Sequence, residues 1–378
     1  MEEREAALAI ACTPGIGPAT ASELLSVFGS HGAVVDAALG RAASGPLLPA
    51  EIASPIAATV ASGRHLADLA DAARAGARFA VPGDPDYPAV LAEIARAPIG
   101  IFVAGAALAG LLPAVAIVGT RAPTPRGVAF ARALASDLVR AGLAVVSGLA
   151  RGIDTAAHRG ALDAGGRTVA VLGCGLAAEP YPPENAGLAP EIATSGGAVV
   201  SEFSPMQEAR PAAFPQRNRI ISGLSAGVVV VEAGTRSGAL ITAARALEQG
   251  REVFAVPGPV DEPQSRGPHG LLRRGARLVE SVEDVLDELD AAWGPFGRAG
   301  AAERARSAGS GAEAGSAPAV GGPAGRVAAA LSMTPLSPGE IAVRLGEPVE
   351  RVLSCLLALE LEGLASPAPG GRYVRGRR

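Results

Sequence analysis

The chain has 378 residues, of which 49% are apolar and 19% charged, with a formal net charge of −4. That length fits two or three domains, and the balance describes folded protein rather than a disordered tail or a wholly basic nucleic-acid binder. No apolar run reaches the ~18 residues of a membrane span, and the acidic start MEEREAALAI lacks a secretory n-region, so a cytoplasmic chain without a membrane role is expected.

Residues 1–75 are rich in Ala and Leu at helical spacing and read as a small helical domain. Within it TPGIGPATASELLSVFG places Gly-Ile-Gly between two helical patterns, either a helix-hairpin-helix whose N–H groups can hold a phosphate or an ordinary tight turn. Residues 76–290 alternate short β-rich runs with helical patterns, which predicts a parallel sheet covered on both faces. The expected strands are AVAIV at 114–118, LAVVS at 143–147, TVAVL at 168–172, GAVVS at 197–201, VVVV at 228–231 and REVFAV at 251–256. Each runs into a Gly-rich or polar loop, and the carboxyl ends of such strands are where open α/β sheets bind ligands. Residues 291–323 read as a Gly/Ala/Ser-rich linker, and residues 324–378 as three short helices followed by a Gly-Gly turn, the order of a winged helix.

Cys12, Cys174 and Cys355 are too far apart in sequence for a disulfide framework or a metal motif, so they are expected as small core residues, with no metal site. All 33 basic side chains are arginine, the residue suited to bidentate phosphate contacts and to stacking on bases, although a general Ala/Gly-rich bias gives the same pattern.

Three kinds of chemistry are open to the strand-end loops. A dinucleotide site fails, because GTRAPTPRG is not GxGxxG and the next strand ends in Ser147-Gly148 rather than an acid. Asp154 and His158 stand i and i+4, but capping of a helix start by Asp154 with packing of His158 is expected before acid/base work, so no catalytic residue is assigned. Phosphate binding fits best. Gly119-Thr120-Arg121, Ser147-Gly148, Gly173 and Gly234-Thr235-Arg236-Ser237-Gly238 offer small residues or hydroxyls beside helix starts, with Arg121, Arg151, Arg217 and Arg219 among them. The stretch FPQRNR, read as loop before the VVVV strand, also holds Asn218 and Phe214, a ring that can stack on a base or fill the core.

GTR after a strand, SGLARGIDTAAHRGAL at 147–162, TVAVLGCGL with YPPEN, and FPQRNRIISGLSAGVVVVEAGTRSGALITAARALEQGREVFAVPG at 214–258 together resemble the DNA processing protein A family, DprA or Smf. The resemblance implies an α/β extended Rossmann-like core between an N-terminal helical (SAM-like, helix-hairpin-helix) domain and a C-terminal winged helix. It also implies a non-enzymatic homodimer, without cofactor, that binds and protects single-stranded DNA and loads the RecA recombinase during natural transformation. Carried onto this chain, the site would use Arg121, Arg217, Arg219 and Phe214, with Arg151 nearby. Many members have a lysine three residues before that Phe; here Pro211 stands there with Arg210 beside it, which would shift the contact by one residue. A more distant resemblance is to Rossmann-like phosphoribohydrolases, but the helix glutamate of that chemistry is missing after Gly234-Thr235, where Arg-Ser-Gly-Ala follows. A pure protein adaptor would leave the arginines unexplained.

Overall fold

The computed structural model describes residues 1–42, 47–84, 86–179, 181–293, 327, 331, 337–361, 365–368 and 372–375. It falls into two compact units, Met1–Ser307 and Ala308–Arg378. The linker expected at 291–323 lies almost wholly outside the described residues.

The first unit opens with α1 (Glu3–Ala11), α2 (Pro18–Phe28), α3 (His31–Ala38), α4 (Ala50–Ser62) and α5 (Arg64–Arg74). Gly17 and Gly29 flank α2, with Gly29 in the left-handed conformation that ends a helix. Ile10, Leu24, Val34, Val35 and Ile56 meet in the centre of this bundle. Then follow β1 (Ala77–Ala80), α6 (Ala89–Ala92), β2 (Ile101–Gly105), β3 (Ala114–Val118), α7 (Pro125–Arg140), β4 (Ala144–Ser147), α8 (Ile153–Asp163) and β5 (Thr168–Val171). The unit continues through α9 (Leu188–Thr194), β6 (Ala198–Ser201), α10 (Ala213–Gly223), β7 (Gly227–Val230), α11 (Gly238–Glu248), β8 (Glu252–Ala255), α12 (Arg266–Leu272), β9 (Arg277–Leu278) and α13 (Val282–Trp293).

The strands form one sheet in the order β1-β2-β6-β5-β4-β3-β7-β8-β9. From β6 to β9 all pairings are parallel, while β1 and β2 are added antiparallel at the β6 edge. Alternate residues of β3 enter opposite cores: Ala114, Ala116 and Val118 pack with α10 and α11, Val115 and Ile117 with α7 and α8. Burial on both faces is why these strands are unbroken apolar runs.

In the second unit α14 (Pro338–Leu345), α15 (Val349–Leu361), β10 (Ala365–Ala368) and β11 (Arg372–Arg375) succeed one another, and the last two pair as an antiparallel hairpin. A capping box starts α14: Ser337 Oγ accepts from Glu340 N at 3.2 Å and Glu340 Oε2 accepts from Ser337 N at 2.7 Å. Ile341, Val352, Leu356, Leu359 and Ala365 form its core. Among the described residues no helix is long and apolar enough to cross a membrane.

Of the cysteines only Cys174 is fully buried. Cys12 does more than fill space: its Sγ donates to Asp68 Oδ2 at 3.0 Å, and Ser204 Oγ donates to Asp68 Oδ1 at 2.9 Å, which joins the helical bundle to the segment after β6.

Candidate functional site

The chain leaves β3 toward β4 and, much later, returns to lay β7 on the other side of β3. The loops after β3 and β7 therefore part in opposite directions, and the crevice between them at the strand ends is the ligand position that this topology provides. A cavity of about 780 Å³ opens there. Gly119, Thr120 and Arg121 line it from the β3 loop, and Gly234, Thr235, Arg236, Ser237 and Gly238 from the β7 loop and the start of α11. Phe214, Arg217 and Asn218 enter from α10, and a small adjoining depression brings Gly148 and Arg151 to Arg121, Phe214 and Arg217.

The loops are stitched together by their own backbone. Thr120 N donates to Glu232 O at 2.6 Å, and Ile153 N donates to Thr120 O at 3.2 Å. Gly152 makes this approach possible, since it has a φ of +80° and a Cβ there would lie 2.4 Å from Thr120 O. Asp154, inside the first turn of α8, does not cap its own helix: its Oδ2 accepts from Gly148 N at 3.1 Å and Ala150 N at 3.3 Å, which folds the β4 loop back over the helix start. Ser237 does cap α11, accepting from Ala239 N at 3.3 Å. The start of α7 is not available to a ligand, because Thr124 Oγ1 accepts from Gly127 N while the Glu232 carboxylate takes Thr124 N and its hydroxyl.

The arginines differ sharply from the reading of FPQRNR as loop. That stretch is the first part of helix α10, and residues two apart on a helix point away from each other. Arg217 points under the cavity, 4% exposed, and its Nη1 donates to Gly148 O at 2.7 Å and to Val171 O. Burial pulls its guanidinium down to about 10, opposed by the nearby Asp154 carboxylate; burial likewise raises Asp154, opposed by Arg217. Arg219 is not brought to the cavity. It forms a buried ion pair with Glu202, whose carboxyl burial raises and Arg219 lowers.

Ser147 is a second correction: fully buried, its hydroxyl donates to Ile117 O at 2.7 Å, so it offers nothing to a ligand. Arg210 is exposed and is not among the lining residues. Asn218 Nδ2 donates to Gly238 O at 3.3 Å and so ties α10 to the start of α11. Gly173 makes room for an aromatic ring, since a Cβ there would lie 2.7 Å from Phe214 Cδ1.

Arg121 is exposed, and its Cζ lies 5.5 Å from the centroid of the Phe214 ring, a cation–π arrangement. Arg151 reaches Glu184 at 3.5 Å with both side chains more than half exposed, a pair worth about 0–1 kcal/mol that leaves the cation free to change partner. Arg236, named in the Gly-Thr-Arg-Ser-Gly turn but not counted among the contact arginines, is exposed on the rim, and sequence reasoning missed Tyr181, whose ring is 5.4 Å from that of Phe214. Tyr181 stood in the quoted YPPEN, where its prolines suggested only a loop.

His158 is fully buried, with Nδ1 2.8 Å from Thr168 Oγ1, and burial pulls it down to about 3. It does not line the cavity, so no dyad with Asp154 faces a ligand there. The surface combines exposed cations, a helix start and half-exposed rings, which is chemistry for an anionic, aromatic-bearing chain.

Residues 78–290 match the family model for DNA recombination-mediator protein A, and residues 311–371 the DprA winged helix domain. Protein Smf of Escherichia coli is 42% identical over 301 residues, 79% of this chain and 77% of that protein. The X-ray structure of DprA from Streptococcus pneumoniae superposes with a TM-score of 0.61 at 36% identity, covering 75% of this chain and 95% of the other. DprA from Helicobacter pylori, described for its single-stranded DNA binding mode, superposes with a TM-score of 0.51 at 28% identity over 57% of this chain and 97% of its own. With more than half of its length matching that family model in order, the chain belongs to the DNA recombination-mediator protein A (DprA/Smf) family.

Proposed function

We propose that this chain binds single-stranded DNA without sequence preference along the carboxyl edge of its sheet and acts as a recombination mediator, protecting incoming DNA during natural transformation. The observation that carries the reading is the exposed Arg121 guanidinium over the Phe214 ring, with the Arg217 cation buried beneath the same cavity. Phosphates meet Arg121, Arg151 and Arg236 at the rim, and the N–H groups of the α11 start; a base meets the Phe214 ring. Arg217 supplies field and shape from below rather than a direct contact.

In this reading the chain binds and does not catalyse, as the missing glutamate after Gly234-Thr235 and the burial of His158 support. It works in the cytoplasm and delivers the strand to a RecA-type recombinase, the step that the family's description as a mediator supports. It acts as a homodimer, as the resemblance to the family implies. Its working parts are a helical domain at 1–75, the DNA-binding core at 76–290, a linker at 291–323 and a winged helix at 324–378.

Titration of labelled single- and double-stranded oligonucleotides at several salt concentrations tests the reading. Single strands should bind more tightly, with log K falling by ~0.7 per phosphate contact for each decade of salt. Equal affinity for both forms, or no salt dependence, overturns it.

A further inference from the structure

The site has a second ring with no assigned task. Tyr181 is 39% exposed, whereas Tyr87 is 4% exposed with its hydroxyl donating to Pro98 O at 2.8 Å. A large aromatic side chain left in solvent at a cavity wall forgoes burial energy that a ligand can recover. Its loop is tied to the segment after β4 and to α8, because Asn185, buried in the same loop, donates to Leu149 O at 2.9 Å and to Thr155 Oγ1 at 2.8 Å. The ring borders three spaces: the main cavity, the depression containing Arg121 and Arg151, and an apolar groove of about 500 Å³.

The Tyr181 and Phe214 planes meet at 44° with centroids 5.4 Å apart. Bases lying flat on these two rings cannot lie flat on each other. We propose that Tyr181 is a second base platform, so that two neighbouring nucleobases of one strand are splayed, one on Phe214 and one on Tyr181, with the phosphate between them at Arg121 and Arg151. Stacking on a π-face needs no hydrogen-bond code, so the subsite takes any base. This rests on the DNA-binding reading and adds to it a kink in the strand and a two-nucleotide unit of recognition.

The test uses the full chain and single-stranded oligonucleotides carrying 2-aminopurine, whose fluorescence is quenched by stacking. Tyr181→Leu should lower affinity about five- to hundredfold, as loss of one stacked base does, with the salt slope unchanged because the phosphate contacts remain. Bound 2-aminopurine should be brighter in Tyr181→Leu than in wild type, and Tyr181→Phe should restore both affinity and quenching. Wild-type affinity and quenching in Tyr181→Leu overturn the subsite, as does failure of Tyr181→Phe to rescue, which would assign the hydroxyl instead. Loss of binding in Arg121→Ala with none in Tyr181→Leu removes the subsite alone; absence of single-strand binding in wild type removes the DNA reading and the subsite with it.

Discussion

The guanidinium of Arg217 donates to the carbonyl oxygen of Gly148 at 2.7 Å, which makes helix α10 and the loop after β4 one rigid piece under the cavity. A side chain so engaged cannot swing out to a phosphate without leaving two carbonyls unsatisfied and taking the nearby cation away from the buried Asp154 carboxylate. In the proposed reading two kinds of arginine therefore serve one site, an exposed one for contact and a buried one for architecture.

Arg217→Ala should lower stability by about 3–5 kcal/mol, the usual result of removing one partner of a buried charged set. Arg121→Ala, at an exposed position, should leave stability within about 0.5 kcal/mol while weakening single-strand binding of all sequences alike. Denaturant titration beside oligonucleotide titration separates the two. Equal stability in both variants would show that Arg217 is not held as described.

Gly148→Ala probes the same joint from the other side. A Cβ there would lie 2.7 Å from Arg217 Nη2, and the guanidinium has little room to yield because it is buried. An overpacking cost of about 1–3 kcal/mol is expected, with weaker DNA binding as the β4 loop shifts. A variant with unchanged midpoint and unchanged affinity would argue against a rigid joint.

Arg219→Ala should destabilise by a similar ~3–5 kcal/mol, because Glu202 is then left buried without its cation. Affinity of the folded fraction for single strands should stay at the wild-type value, since Arg219 does not reach the cavity. A selective loss of DNA binding at unchanged stability would return Arg219 to the site.

That pair of arginines shows what the sequence did and did not disclose. The parallel strands were legible because burial on both faces leaves unbroken runs such as AVAIV and VVVV, and β3 was located to the residue. The short β1 and β2, added antiparallel at the edge, carried no such signal in ARFA and IFVAG and were missed. FPQRNR was read as loop because Pro215 and the polar run masked the helix, and that error placed Arg217 and Arg219 on one side; helical spacing puts them on two. Tyr181 could have been singled out as one of three tyrosines in the chain, but only the fold brings it beside Phe214.

His158 makes stability depend on pH. Thr168 Oγ1 gives its proton to Val145 O at 2.7 Å, so the imidazole Nδ1–H donates to it, while burial and the nearby Arg217 cation keep the ring neutral. The folded-state value is depressed to about 3 from an ordinary ~6.5, so as pH falls below ~6.5 the unfolded chain takes up a proton that the folded chain refuses. Stability should fall by up to ~1.4 kcal/mol per pH unit from this group. His158→Gln should flatten that dependence in denaturant titrations at pH 5 and 7; an unchanged slope would assign it to other groups.

The last prediction concerns the second unit. In a winged helix that reads DNA, the second helix of the helix pair enters the major groove with basic and polar side chains. Helix α15 has another surface: Val349, Leu353 and Leu357, spaced four apart and 38%, 45% and 59% exposed, form an apolar stripe. Glu350 stands in its first turn, and Arg351 is engaged by Glu347 at 3.3 Å. Neither the apolar stripe nor the acid suits a phosphate-lined groove. A chain ending after Trp293, which keeps all of α13 with Val285 and Leu289 in the core, should therefore retain single-strand affinity within about tenfold, or ~1.4 kcal/mol, of the full chain. The loss that does occur should come with a smaller salt slope, since the removed arginines act on the backbone without reading it. A folded truncated chain that binds no single strand would move the principal site from the sheet edge to the winged helix.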